Sequence, residues 1–143
     1  MDIRNGFQID KPSLFIPWNI KEDLFVEIFE NNKVTLNHVT EGYYAKSYCE
    51  SLGGLKHNLG FHFEPRRKGL LKELEFFRSS YIDLDKSFKE FNDYFEKEFG
   101  EPKISKIGKD GYPYNEWRLP GSVIYHSIFN RFGPEEHLRI KKK

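Results

Sequence analysis

The sequence predicts an α+β fold: one large twisted antiparallel sheet of about eight strands, built from two helix-plus-meander repeats with both helices on one face. Three observations carry this. Leu84, Phe88, Phe91, Phe95 and Phe99 recur at three- and four-residue spacings, the stripe of an amphipathic helix. The segments before and after that helix alternate apolar and polar residues with period two, as half-buried strands do. Turn residues in the two halves of the chain then fall at a nearly constant offset, the mark of an internal repeat over residues 19–78 and 83–142 of a single domain.

In chain order, residues 1–18 read as irregular, with an edge strand at Phe7 to Ile9 and a short apolar run, Leu14-Phe15-Ile16, between Pro12 and Pro17. Asn19 reads as a helix cap with Glu22 in the capping-box position. Ile20, Leu24, Phe25, Ile28 and Phe29 supply the apolar stripe, and Asn31-Asn32 the stop. Strands are expected at Lys33–His38, Tyr43–Cys49, Leu55–Glu64 and Leu70–Arg78, separated by Glu41-Gly42, Gly53-Gly54 and Pro65-Arg66-Arg67-Lys68-Gly69. Leu70, Leu71, Leu74 and Phe77 would also fit a helix, but a hairpin back from the preceding strand is the shorter route. Asp83 caps the second helix, and Gly100 and Pro102 end it. Strands follow at Lys103–Ile107, Tyr114–Leu119, Ser122–Arg131 and Glu136–Lys142.

Between the halves, Glu41-Gly42-Tyr43 matches Asp110-Gly111-Tyr112 and Phe63-Glu64-Pro65 matches Phe132-Gly133-Pro134. The alternative is that two β-meanders share turn residues by chance. Phe99-Gly100-Glu101-Pro102, followed by Trp117, resembles the tandem-repeat fold of β-lactamase inhibitor proteins and related small repeat lipoproteins, in which a Gly-x-Pro and a Trp recur. The resemblance covers residues 84–142, and the first unit lacks both features. It implies a helix over a meander and an inhibitor-like role, though such folds host many functions.

Composition narrows the function classes. The 23 basic and 22 acidic side chains give a net charge of +1, which argues against a nucleic-acid partner. The clusters Arg66-Arg67-Lys68 and Lys141-Lys142-Lys143 are the local exceptions, best read as a solvated loop and a frayed end. Cys49 is the sole cysteine, so no internal disulfide and no CxxC site can form. No apolar run approaches the roughly 20 residues of a membrane span, and Met1 to Gly6 lacks a signal core. The expectation is a cytoplasmic protein without a membrane partner.

Catalysis finds no support in motifs: there is no phosphate loop, no G-x-S-x-G elbow, no H-E-x-x-H and no EF-hand loop. The histidines are His38, His57, His62, His126 and His137. His57 and His62 differ by an odd number and so point to opposite faces of an unbulged strand, against a shared metal. Gly60 could host a bulge that changes this. No cofactor, metal site or catalytic residue is expected. Cys49 reads as a small buried hydrophobe, His57 as a core histidine, and Glu73 and Glu75 as a solvated face.

The period-two pattern turns Leu59, Phe61, Phe63, Trp117, Leu119, Ile124, His126, Ile128, Leu138 and Ile140 towards the helices. Ala45, Ser47 and Cys49 go with them. The other face then carries Tyr44, Lys46, Tyr48, His62, Tyr114, Glu116, Arg118, Tyr125 and Arg139. Tyr and Arg are enriched at binding hot spots, although a polar sheet face in water needs no function. The expected function is non-catalytic protein binding through this face, in the manner of an immunity or inhibitor protein. The alternative is an enzyme or small-ligand binder with a site between sheet and helices, near Cys49, His57 or His126.

Overall fold

The computed structural model describes residues 1–40, 43–65, 69–78 and 83–143. The Glu41-Gly42 turn and the Arg66-Arg67-Lys68 cluster lie outside the described residues. In chain order the elements are β1 (Gly6–Ile9), β2 (Leu14–Pro17), α1 (Glu22–Asn31), β3 (Asn37–Thr40), β4 (Tyr44–Ser51), β5 (Leu55–Glu64), β6 (Leu70–Phe77), α2 (Leu84–Phe99), β7 (Ile104–Ile107), β8 (Pro113–Leu119), β9 (Ser122–Asn130) and β10 (Pro134–Lys142). The fold is α+β, with an eight-stranded antiparallel sheet in the order β3-β4-β5-β6-β10-β9-β8-β7 and a separate β1-β2 hairpin. Two four-stranded meanders therefore meet at β6 and β10, where Glu73–Phe76 pairs with Leu138–Lys141.

The α2 stripe forms as its spacing predicts. The Asp83 carboxylate accepts from the Lys86 amide, Gly100 takes a φ of 79° at the C-cap, and Phe91 and Phe95 are buried. Phe91 packs on Phe76 and His57, Phe95 on Trp117. Trp117 donates its indole N–H to the Gly100 carbonyl at 2.9 Å, tying the helix end to β8. Helix α1 buries Phe25 against Phe61 and Phe63, and Phe29 against Phe61. Each such ring contributes about 1.5–3 kcal/mol by leaving water.

The N-terminal half departs from the sequence reading in several places. Residues 1–18 are ordered by a hairpin: Phe7 sits edge-on to Phe76 at 5.4 Å, and Trp18 donates to the Ile3 carbonyl at 2.7 Å. Asn19 is no cap. It takes a φ of 61°, its amide donates to the Leu71 carbonyl, and its side-chain oxygen accepts from Lys72. The segment is thereby held against the edge of β6, and α1 starts later, with Lys21 at an N-cap that makes no side-chain bond. Leu24 is 52% exposed because Phe25 and Phe29 alone make the buried stripe. The strand expected at Lys33–His38 begins instead at Asn37. Lys33 takes a φ of 55° and Val34 donates to the Phe29 carbonyl, so the exit turn of α1 occupies that stretch.

Residues β5 and β6 fall where expected, and strand rather than helix is the outcome for Leu70–Phe77. His57 and His62 lie on opposite faces, since β4 pairs with β5 without a break from Ser51–Leu55 to Tyr44–His62. The register shift comes one step later, between His62 and Phe63, and leaves Lys72 as the extra residue. That bulge returns Leu71 to the apolar face beside Leu74. Glu116, read as outward, is nonetheless buried at 7% exposure.

Candidate functional site

The registers place all eight candidate residues on one face. Lys46, Gly60, Glu75, Arg139, Tyr125 and Glu116 stand opposite one another across six consecutive strands. Tyr44, His62 and Glu73 form the next row on one side, Tyr48 and Asn58 the row on the other, and Tyr114 and Arg118 flank Glu116 on β8.

Two clusters result. In the first, Arg139 donates to Glu73 at 3.1 Å and to Glu75 at 2.8 Å. Tyr44 reaches Glu75 at 3.4 Å, and its ring stacks on His62 at 4.3 Å and 13°. Gly60 makes the stacking possible, because a Cβ there would lie 2.7 Å from the Tyr44 ring. The His62 imidazole facing it at 3.8 Å, and then the Arg139 guanidinium, hold Glu75 below the usual carboxylate range. Burial, with Glu75 beside it, pushes the Tyr44 phenol up to about 12. In the second cluster Tyr114 donates to Glu116 at 2.8 Å and Arg118 at 2.6 Å. Burial works to raise the Glu116 pKa, but the bonds from Arg118 and Tyr114 outweigh it and keep the carboxyl below its usual range.

Tyr125 stands opposite both Arg139 and Glu116 and so links the clusters. Lys46 lies 5.8 Å from the Phe77 ring centroid, and Tyr48 is set apart at 64% exposure. The sequence reading placed Glu116 on this face but missed Glu73 and Glu75 as members, having taken these two as merely solvated. Pairing with β10, which lies more than 60 residues away in the chain, is what makes them the anchors of Arg139.

The buried polar groups of the opposite face are arranged differently. His57 is fully buried, donates through Nδ1 to the Asn58 carbonyl at 3.0 Å and accepts from Ser51 at Nε2. Burial lowers its pKa to about 4. Cys49 stands across from His57, but burial pushes its thiol up to about 12, so it is not an activated nucleophile. His126 donates through Nε2 to Glu136 at 2.6 Å and stacks on Phe88 at 3.9 Å, and its buried Nδ1 has no partner among the described residues. Burial lowers its pKa as well. Ser87 of α2 donates to the other Glu136 oxygen at 2.6 Å. Arg78 donates to Ser87 and to Glu90, each at 3.0 Å, with its guanidinium 4.5 Å from the Phe91 ring.

Beside this network, where the β6–β10 ladder ends at Phe76 and Leu138, a cleft of about 680 Å³ opens. Its lining includes Phe77, Arg78, Leu84, Ser87, Glu135 and Glu136. Among the described residues no group of three or more His, Cys, Asp or Glu side chains is placed to hold a metal ion, and no helix is long and apolar enough to cross a membrane. Comparison with known proteins finds no matching family, no matching curated protein and no matching solved structure.

Proposed function

We propose that the chain is a protein-binding module that recognises its partner through the face bearing Tyr44, His62, Tyr125, Arg139 and the Glu116 cluster. Behind this reading we take the fold as a pair of helix-plus-meander units with both helices on the opposite face, the arrangement that the sequence resemblance to β-lactamase inhibitor proteins implies. The alternation along β4, β5, β6 and β10 supports it, since Phe61, Phe76 and Ile140 are buried while Tyr48 and the Arg139 side chain reach solvent.

The observation that carries the reading is the fixed guanidinium. Arg139 is 36% exposed yet held by two carboxylates, with an aromatic pair stacked beside it. A charged group that is already ordered loses little side-chain entropy on binding, which is the advantage of preorganisation. Rings and a fixed guanidinium are also the side-chain types that dominate interface energies.

The test is capture with photo-crosslinkers placed at Tyr48 and Lys46, followed by binding of the purified captured protein to variants. Tyr125→Ala and Arg118→Ala should each weaken binding at least tenfold while leaving the fold intact. Unchanged affinity in both would overturn the assignment of this face.

A further inference from the structure

We propose that the cleft at the β6–β10 junction binds an organic cation, an amine or guanidinium carried on an apolar body. The inference stands apart from the open-face reading, since it concerns the gap between the two meanders, which meets the Arg139 row only at Glu75.

The shape comes from the strands. The ladder stops at Phe76 and Leu138, and beyond it Phe77 and Arg78 line one side of the gap while Pro134 to His137 line the other. The first turns of α2 contribute Leu84 and Ser87. A volume of about 680 Å³ suits a small organic molecule, and Phe77, Leu84 and Pro134 supply apolar wall.

The charge comes from Glu135 and Glu136. Among the described residues the ion partners of these two carboxylates are histidines, His137 at 3.4 Å and His126 at 2.6 Å, and no Lys or Arg lies within bridging distance of either. The Glu136 side chain is only 11% exposed. A carboxylate so far from water is ordinarily matched by a cation. His126 is a poor one, because its Nδ1 is enclosed without an acceptor for the proton that would charge it. Glu136 makes two hydrogen bonds, to Ser87 and His126, where a carboxylate can accept about four.

Arg78 also lines the cleft, but it is bound to Glu90, to Ser87 and to the Lys56 carbonyl. Glu75 at the rim is held by Arg139. An anion entering here would face Glu135 and Glu136, whereas a cation would complete them.

The probe is benzamidine, titrated into the full chain at neutral pH and followed by backbone-amide NMR, with benzamide as its neutral counterpart and benzoate as the anion. Benzamidine should shift the amides of Phe77, Arg78, Ser87 and Glu136 saturably, and benzamide should bind at least tenfold more weakly. Glu136→Gln should weaken benzamidine by about tenfold to a hundredfold, the effect of losing one charged hydrogen bond. Should that variant fail to fold, Leu84→Trp, which fills the cleft from the helix side, should abolish the shifts. N-acetyl-arginine methylamide separates the two sources of such a cation. Tighter binding than benzamidine marks a basic side chain of a protein, and weaker binding marks a free small molecule. The proposal is overturned by an absence of saturable shifts, by equal affinity for benzamide or benzoate, or by benzamidine affinity unchanged in Glu136→Gln or in Leu84→Trp.

Discussion

Acidification should destabilise this protein well before its carboxylates titrate, and His57 is the reason. Its ring is completely buried, 5.1 Å from Phe76 and 5.9 Å from Phe91, and both nitrogens are committed to Asn58 and Ser51. A proton added at Nε2 would meet a hydroxyl that is already donating, in apolar surroundings. The folded-state pKa of about 4 lies below the ordinary 6.5, so between these values the unfolded chain binds the proton and the folded one does not. Stability therefore falls as the pH drops from about 6.5 towards 4. At about 1.4 kcal/mol per pH unit the loss from His57 approaches about 3 kcal/mol. Urea unfolding followed by circular dichroism, at intervals across that range, measures it. In His57→Gln the decline over the same window should be shallower by about 2–3 kcal/mol, whatever that substitution does to stability at pH 7. If wild type and variant decline in parallel, the histidine is not held neutral by burial and the reasoning fails.

Further outcomes follow from the packing and the polar face. Phe91→Ala removes a ring that touches Phe76, His57 and His126 and should cost about 3–5 kcal/mol in urea unfolding. Phe95→Ala should cost about the same, through its contact with Trp117. Gly60→Ala drives a methyl into the Tyr44 ring and should destabilise by about 1–3 kcal/mol, with loss of the Tyr44–His62 ring-current shifts in NMR spectra. Arg139→Gln leaves Glu73 and Glu75 without their shared cation, so the Glu75 pKa should rise in a carbon-detected titration. An unchanged value would mean that His62 alone sets it. Phe132→Ser, at a position 90% exposed, should leave stability within about 0.5 kcal/mol.

Much of the sheet was legible because local chemistry and global packing agree there. In β5 the alternation of Leu59, Phe61 and Phe63 with polar neighbours announces both the strand and its buried face. The stripe of α2, its Asp83 cap and its Gly100 stop likewise agree with one another. Around α1 the local signals misled, since Asn19 and Glu22 spell a capping box while tertiary pairing to Leu71 and Lys72 takes the asparagine away from the helix. The candidate face was legible in its aromatic and basic members, which follow strand parity. Glu73 and Glu75 were not, because their value depends on which strand lies beside β6. The cleft was invisible for the same reason: it exists only where that pairing stops.

The short β6–β10 junction has a kinetic consequence. Phe76 and Leu138 are brought together from distant parts of the chain, and contacts of that kind form late because the intervening segment must first be closed into a loop. Until β10 docks, the meander of β3 to β6 presents Leu74 and Phe76 on a raw edge, the situation in which strands recruit foreign chains. The segment Asn19–Lys21 lies along only the Leu70–Leu71 end of that edge. Refolding yield should therefore depend steeply on protein concentration, with the losses traced to the four residues of β6 that wait for β10.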